Sequence, residues 1–315
     1  MLLWGFCLHS SISDTAKKIK RLEIQGARNV AIAAIKSVEA ATKESKAKTK
    51  QELLAELSEA KEVLFASRST EPLMRNGVRY VIQAVESSEE TDVKKLAKVV
   101  SRVSEEFLER LEQSKAKIAS IGSKRISKNS RVLTHCHSST VMNMLKQAKA
   151  DEKIFEVVCT ESRPVFQGRI TAKEMLDSKI KTTMIVDSAV RHFVNQVDFV
   201  VVGADAITSE GNVVNKIGTS MIALAAKEAR TPFYVATELL KFDPVTVFGS
   251  YERIEERGTE EVWSSPPHGL IIRNPAFDVT RRDFIHGIIC EEGIIPPHSI
   301  SELISRKYPW ILEST

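Results

Sequence analysis

Four side chains that could transfer protons or hold anions follow short apolar runs in the second half of the chain. They are a thiol, a carboxylate and two lysines: Cys136, Asp205, Lys216 and Lys241. Ligands in an open parallel sheet bind beyond the carboxyl ends of the strands, so residues that follow strands tend to meet at one edge. We therefore predict that these four residues face a common site.

Cys136 and Asp205 have the chemistry of a base and an acid. The thiolate is the reactive form of cysteine, and a helix N-terminus or a nearby cation lowers the pKa of a thiol. A predicted helix follows Cys136, so its N-terminus could lower the pKa of Cys136 and supply a thiolate base near neutral pH. Asp205, if it is screened from water, would hold a proton and act as the acid. Such a pair suits a reaction that moves a proton within a substrate.

Two helix N-termini in the same half could bind phosphate. Ser138–Thr140 lies at the start of a helix predicted over Ser139–Lys149, and Asn215–Thr219 opens the next predicted helix. Unpaired N–H groups, the positive end of the helix dipole and hydroxyl side chains all favour a bound phosphate. Lys216 and Lys241 would add positive charge for a second anionic group.

Each of these residues also has a purely structural interpretation. A lone cysteine at a strand end is often a small core residue, Asp205 could cap a turn, and Lys216 could be an exposed helix charge. A metal site of His135, His137 and Cys159 is not expected. The His-Cys-His spacing does not match a structural zinc motif. In addition, adjacent residues on an extended chain point to opposite sides.

The two halves of the sequence have different periodicities. Apolar residues recur at helical spacing from Ile12 to about Lys124, with one break at residues 87–92 before a helix over Val93–Ala116. This pattern predicts a bundle of amphipathic helices.

Short apolar runs that predict strands begin after Ile121. The predicted strands are Arg131–Thr134, Phe155–Thr160, Thr183–Asp187, Phe199–Gly203, Phe233–Thr237 and Ile271–Arg273, and the helices between them are Ser139–Lys149, Ala172–Ser178 and Thr219–Ala229. Alternating strands and helices favour a parallel sheet covered on both faces. We predict an α/β protein with a helical N-terminal domain (1–124) and a Rossmann-like C-terminal domain (125–315). No Gly-x-Gly-x-x-Gly follows a strand, so a dinucleotide cofactor is not expected.

Composition argues for a cytoplasmic protein that acts on a small molecule. The net charge of +4 is small and its lysines and arginines are dispersed, which argues against nucleic-acid binding. No apolar run is long enough to span a membrane, and the apolar segment Met1–Leu8 lacks the features of a secretory leader. The four cysteines have no disulfide spacing, which fits a reducing compartment.

Seven motifs in the chain resemble the archaeal ribose-1,5-bisphosphate isomerases. These enzymes are related to methylthioribose-1-phosphate isomerase and to the regulatory subunits of translation initiation factor 2B. The motifs lie at Thr134–Ser138, Thr160–Gly168, Val186–His192, Gly203–Asp205, Val214–Thr219, Asn274–Thr280 and Gly293–Pro297. The Gly203–Asp205 and Val214–Thr219 motifs occur throughout this superfamily, whereas regulatory subunits generally lack a thiol at Cys136. The segment from Asp187 to His192 is most similar to the bisphosphate isomerases.

The resemblance implies a reaction and a set of roles. Cys136 would accept a proton and Asp205 would donate one as ribose 1,5-bisphosphate becomes ribulose 1,5-bisphosphate through a cis-enediolate. The product would feed a carboxylase of the RuBisCO type, and no metal or organic cofactor is implied. The substrate would contact Asn215, Lys216, Lys241, Arg68 of the helical domain and Ser138–Thr140. A homo-oligomer built from dimers, up to a hexamer, is also implied.

One segment departs from the family pattern. The family usually has Arg-Gly-Ala-Gly at a phosphate contact in the first helical segment, where this chain has Gln25-Gly26-Ala27-Arg28. Arg28 would either restore the charge from another direction or crowd the pocket. A different phosphosugar therefore stays open. So does a non-catalytic initiation factor 2B-like regulatory subunit that binds a sugar phosphate or a nucleotide.

Overall fold

The chain is organised as two compact units. A computed structural model describes residues 9–68, 70–250 and 254–313. The first unit is Met1–Glu112 with Tyr308–Thr315, and the second is Gln113–Lys307. The domain boundary predicted between residues 124 and 125 falls just after a long helix that ends at Ser123.

The first unit is helical, as the periodicity predicts. Its helices are α1 (Ser10–Lys20), α2 (Ala27–Lys43), α3 (Lys50–Ser67), α4 (Pro72–Glu86) and the first two thirds of α5 (Val93–Ser123). Local sequence sets their ends, since the Thr49 hydroxyl accepts the Glu52 N–H at the start of α3 and Pro72 occupies the first turn of α4. The predicted break at residues 87–92 separates α4 from α5, and α5 runs beyond the predicted end at Ala116.

The second unit contains a seven-stranded sheet in the order β10-β9-β7-β4-β1-β2-β3. Its strands are β1 (Arg131–Thr134), β2 (Glu156–Thr160), β3 (Lys181–Ile185), β4 (Phe199–Val202), β7 (Phe233–Ala236), β9 (Gly287–Cys290) and β10 (Gly293–Ile295). All neighbouring pairs are parallel except β9 with β10. The helices are α6 (Ser139–Ala150), α7 (Gln167–Asp177), α8 (Val190–Phe193), α9 (Thr219–Ala229) and α10 (Ile300–Lys307), and a last short helix, α11 (Trp310–Glu313), belongs to the first unit.

A second, antiparallel sheet of three strands was not predicted. It consists of β5 (Ala206–Ile207), β6 (Val213–Lys216) and β8 (Phe277–Thr280), with β6 in the middle. Asn215 and Lys216 therefore lie at the end of a strand, and α9 begins only at Thr219. The prediction that Asn215–Thr219 opens a helix missed β6, because Val213–Lys216 is too short to show a period of its own.

Five of the six predicted strands are confirmed, with ends that differ by at most two residues. The strand predicted over Ile271–Arg273 is wrong, because this segment is irregular and Ile271 is 86% exposed. A three-residue apolar run carries too little pattern to separate a strand from an exposed loop. The strands of this region are β8 and β9, and every residue of β9 is buried. The predicted class, a helical part followed by a mostly parallel sheet, is confirmed.

The order of the large sheet places its functional edge. From β1 the chain proceeds outward through β2 and β3, and then crosses back to β4, β7 and β9 on the other side of β1. The direction of winding thus reverses between β1 and β4, which is where open α/β sheets form their ligand crevice. Cys136 follows β1 and Asp205 follows β4. No helix among residues 9–68, 70–250 and 254–313 is long and apolar enough to cross a membrane.

Substitution of Gly168 by alanine should destabilise the second unit. Gly168 is the second residue of α7, and a Cβ atom there would lie 1.7 Å from the carbonyl oxygen of Thr160, so the backbone of β2 or α7 would have to move. We expect a loss of about 3 kcal/mol, which corresponds to a fall in melting temperature of about 6 to 12 °C. Circular dichroism during heating measures this change. Lys173→Ala, at an exposed position of the same helix, is the control, and equal melting temperatures for the two variants would contradict the packing argument.

Candidate active site

Cys136 is held at the end of β1 by its backbone. Its φ angle of 66° lies in the left-handed region, which is unfavourable for a residue with a side chain. Two hydrogen bonds hold this conformation. The Cys136 N–H donates to Ser162 Oγ at 2.7 Å, and Thr171 Oγ1 donates to the Cys136 carbonyl at 2.8 Å. The turn presents a half-buried thiol at the crevice between β1 and β4.

The expectation of a lowered pKa for Cys136 is wrong for the protein without a ligand. Burial raises the pKa of the Cys136 thiol to about 11, and the negative charges of Asp205 and Asp187 raise it further. The Lys216 ammonium is the largest opposing influence. Loss of hydration therefore outweighs the nearby positive charge and the hydrogen bond from the His137 N–H, and Cys136 is a neutral thiol at neutral pH.

The imidazole of His135 is buried and neutral. Burial is the main cause that lowers its pKa. Its Nε2–H donates to the Ile217 carbonyl at 2.9 Å, so its Nδ1 is unprotonated and accepts from Thr160 Oγ1 at 2.5 Å. His135 therefore supplies no positive charge to Cys136 and links the end of β2 to the segment after β6.

His137 contacts α7, whereas His135 contacts Thr160 and Ile217. Its Nδ1 is 3.1 Å from Thr171 Oγ1, and its Nε2 is 3.6 Å from a carboxylate oxygen of Glu174. The buried Cys159 thiol lies 3.9 Å from the Gly168 carbonyl oxygen. Within the part of the chain that the structure describes, no three histidine, cysteine, aspartate or glutamate side chains are grouped to hold a metal ion.

Asp205 and Lys241 are connected through the segment after β4. The Asp205 N–H donates to the Val214 carbonyl at 2.8 Å, which joins the end of β4 to β6, and the Asp205 side chain is partly exposed. Lys241 Nζ donates to the Ala204 carbonyl at 2.8 Å and lies 3.2 Å from a Glu238 carboxylate oxygen. Because these contacts are buried, Lys241 fixes the residue that precedes Asp205.

The segment that carries Asn215 and Lys216 ends in a tight turn before α9. Asn215 Nδ2 donates to Thr219 Oγ1 at 3.0 Å, and that hydroxyl donates to the Lys216 carbonyl at 2.6 Å. Lys216 is buried, with Nζ 5.0 Å from the centroid of the Phe277 ring. Cys136, Asp205 and Lys216 are thus brought together, since the charges of the latter two both act on the thiol.

The two predicted phosphate sites at helix N-termini differ in the structure. At α9, the Asp278 carboxylate already accepts the N–H groups of Gly218 and Ser220, so this N-terminus is filled by the chain itself. At α6, Ser138 Oγ accepts the Val141 N–H at 3.4 Å, and Thr140 Oγ1 donates to Glu238. The phosphate contact at α6 therefore stays a prediction, whereas the N-terminus of α9 is occupied by Asp278.

The predicted site residues of the helical unit have their own contacts there. Gly26 has a φ angle of 81° just before α2, whose first residues are Ala27 and Arg28. The Arg28 guanidinium donates to the Leu111 carbonyl and pairs with Glu112, and Gln25 Nε2 donates to the Leu22 carbonyl. Arg68 pairs with the buried Glu71 at 2.9 Å. The charge of Arg28 is thus directed at α5, and the substrate contacts of these residues remain predictions.

Five residues that shape the site were not assigned a role from the sequence: Thr160, Ser162, Asp187, Glu238 and Asp278. The Asp187 carboxylate accepts the N–H groups of Ser162 and Arg163. It therefore holds in place Ser162, whose hydroxyl accepts the Cys136 N–H. Four of the five lie in segments that carry the family resemblance. Position within a motif is therefore the signal that could have found them, although it does not give their function.

The protonation state of Cys136 can be tested by alkylation with iodoacetamide. Since only the thiolate reacts, a pKa of about 11 leaves roughly one Cys136 in 1,000 reactive at pH 8. We expect the rate at Cys136, followed by peptide mass spectrometry, to rise about tenfold per pH unit from pH 7 to pH 10. A model cysteine peptide levels off above about pH 9 and is the control. An alkylation rate at Cys136 that levels off below pH 9 would show that the pKa of this thiol is not raised.

Comparisons with known proteins extend over nearly the whole chain. Residues 23–297 match the initiation factor 2 subunit family. The ribose 1,5-bisphosphate isomerase of Archaeoglobus fulgidus is 44% identical over 301 residues, which cover 94% of this chain and 93% of the relative. The enzyme of the same name from Pyrococcus furiosus is 37% identical over 313 residues, or 97% of each chain.

A solved structure shows the same fold. The translation initiation factor eIF-2B of Pyrococcus horikoshii OT3 superposes with a TM-score of 0.80 at 31% sequence identity, over 92% of this chain and 98% of that one. Proteins named as isomerases and a protein named as an initiation factor are thus both similar to this chain over nearly its whole length. On the match over residues 23–297, this chain belongs to the initiation factor 2 subunit family.

Proposed function

We propose that this protein is an aldose–ketose isomerase that converts ribose 1,5-bisphosphate to ribulose 1,5-bisphosphate. The observation that carries the proposal is the placement of a thiol, a carboxylate and a lysine at the crevice between β1 and β4. The relatives that are named ribose 1,5-bisphosphate isomerase support the choice of substrate.

The reaction needs one base and one acid. After the furanose ring opens, the Cys136 thiolate removes the proton from carbon 2, and the electron pair of that bond forms the carbon 1–carbon 2 double bond. Asp205 donates its proton to the carbonyl oxygen on carbon 1. The Asp205 carboxylate then takes the hydroxyl proton from the oxygen on carbon 2, which leaves an enediolate, and the Cys136 thiol returns its proton to carbon 1 as that oxygen becomes the ketone. Because one base serves both carbons on one face, the intermediate is a cis-enediolate.

The base must first lose the proton that it carries in the free protein. Transfer of the Cys136 proton to Asp205 produces a thiolate and a carboxylic acid, which are the base and the acid of the reaction. The net charge of the site does not change in this step. The Lys216 ammonium, which already favours the thiolate, stabilises both this form and the negative oxygens of the enediolate.

The remaining predicted residues would bind the two phosphate groups and the sugar. Ser138, Ser139 and Thr140 at the start of α6 would hold one phosphate. Asn215, Lys216 and Lys241 would contact the sugar hydroxyls and the carbonyl oxygen. Gln25, Gly26, Ala27, Arg28 and Arg68 would contact the other phosphate. Within this proposal the protein works in the cytoplasm as a homo-oligomer without an organic cofactor, and its product is the substrate of a carboxylase.

A non-catalytic regulatory subunit is the second candidate, because the P. horikoshii structure is that of an initiation factor. Such a protein would use the same crevice to bind a sugar phosphate or a nucleotide. It would need neither the thiol of Cys136 nor the proton of Asp205, so the two candidates differ in what a substitution at Cys136 does.

Turnover of ribose 1,5-bisphosphate by the purified protein tests the proposal. We expect ribulose 1,5-bisphosphate as the product, and we expect Cys136→Ala and Asp205→Asn each to lower kcat by a factor on the order of 1,000 or more, because each removes a proton-transfer group. Asp198→Asn is the matched control, since the Asp198 carboxylate accepts the Arg131 N–H at the opposite end of β1.

The outcomes separate the two candidates. In D₂O, exchange of the Cys136 thiol with solvent while the enediolate is bound places deuterium on carbon 1 of the product, whereas a direct hydride shift does not. If the protein binds the sugar phosphate without converting it, the isomerase proposal is overturned and the regulatory function takes its place.

A further inference from the structure

We propose that Asp278 is a positioning residue that fixes the turn after β6 and thereby holds Lys216 beside Cys136. Its catalytic consequence rests on the proposed isomerase function, but its effect on Cys136 can be measured without a substrate. Asp278 lies on β8, where the ladder places it opposite Asn215 of β6.

The Asp278 carboxylate is bonded to the turn by several short contacts. Its Oδ2 accepts the Gly218 N–H at 2.8 Å, and both oxygens accept the Ser220 N–H at 3.1 Å. These N–H groups belong to the start of α9, where a negative charge is also favoured by the helix dipole. Since Gly218 and Ser220 follow Lys216 within four residues, the carboxylate fixes where β6 ends and α9 begins.

The opposite side of the turn is bonded to the segment around Cys136. His135 Nε2 donates to the Ile217 carbonyl at 2.9 Å. Gly218 has a φ angle of 101°, and a Cβ atom there would come within 3.3 Å of His135 Nε2. The turn is therefore held between His135 on one side and Asp278 on the other, with Lys216 directly before it.

Asp278 is not itself in the proton-transfer machinery. Groups whose charges act on the Cys136 thiol include Lys216, Asp205 and Asp187, and Asp278 is not one of them. Burial raises the pKa of Asp278 to about 6 while the Ser220 and Gly218 N–H groups lower it, so the carboxylate is ionised at pH 9. Its influence on Cys136 has to act through the position of Lys216.

This arrangement gives the substitution Asp278→Asn a diagnostic sign. If Asp278 acted on Cys136 directly, loss of its negative charge would favour the thiolate and speed alkylation. If it acts by holding Lys216 in place, its loss moves a positive charge away from the thiol, disfavours the thiolate and slows alkylation.

The experiment measures iodoacetamide alkylation of Cys136 at pH 9 in the full chain, for Asp278→Asn, Lys216→Met, the double variant and Asp198→Asn. We expect Asp278→Asn and Lys216→Met to slow alkylation by a similar factor of about 3 to 10. The double variant should react no more slowly than Lys216→Met alone, because both substitutions act by removing the same positive charge, that of Lys216, from beside the thiol. Asp198→Asn should leave the rate unchanged.

Three results would overturn the proposal: faster or unchanged alkylation in Asp278→Asn, no effect of Lys216→Met, or additive effects in the double variant. If Asp278→Asn does not fold by circular dichroism, Asp278→Glu decides, since it keeps the charge but cannot keep the same N–H contacts. Slower alkylation in Asp278→Glu supports the proposal, and an unchanged or faster rate overturns it.

Turnover adds a second readout that depends on the proposed function. A displacement of about 1 Å at a catalytic group can lower a rate on the order of 100-fold, so we expect kcat of Asp278→Asn to fall by about that factor. If the wild-type protein does not turn over the sugar phosphate, the alkylation series still decides the role of Asp278. Failure of the positioning proposal and failure of the isomerase proposal are therefore distinguishable.

Discussion

A single chain of hydrogen bonds connects the proposed base to the turn that follows Lys216. The Cys136 N–H donates to Ser162 Oγ, which lies 3.1 Å from Thr160 Oγ1, and Thr160 donates to His135 Nδ1. His135 completes the chain by donating to the Ile217 carbonyl. Since a carbonyl only accepts, the direction of every bond is fixed from one end to the other.

This chain of hydrogen bonds requires the imidazole of His135 to stay neutral. A protonated imidazole would carry a hydrogen on Nδ1, and Thr160 Oγ1 would have to reverse its own hydrogen bond to accept it. Burial lowers the pKa of His135 and keeps the neutral form. The histidine next to the proposed base therefore holds geometry and does not supply charge, and Lys216 is left as the principal cation near the thiol.

The sequence predicts the location of the site better than its electrostatics. Residues after β1 and β4 could be identified because apolar strands and the winding rule of parallel sheets are local and general. The pKa of Cys136 could not, because loss of hydration depends on packing by distant segments. The sequence pattern predicts a helix N-terminus near the thiol, but not the burial that raises its pKa.

Residues that act through the backbone were equally hard to predict. Asp278 and Asp187 accept N–H groups 58 to 60 and 24 to 25 positions away, and such pairs leave no periodic signal. Arg28 illustrates the same limit, because no sequence pattern shows that its guanidinium reaches the Leu111 carbonyl 83 positions away. The small sheet was missed for a related reason, since β5 has two residues and β6 and β8 have four each.

The proposed base and the proposed acid depend on different parts of the fold. Asp205 and Lys216 are tied together by the small sheet, where the Asp205 N–H bonds to Val214 of β6. Cys136 is held instead at the end of β1, through its own N–H and carbonyl groups. Because these bonds do not involve the thiol, its replacement leaves the crevice and the acid–lysine pair in place.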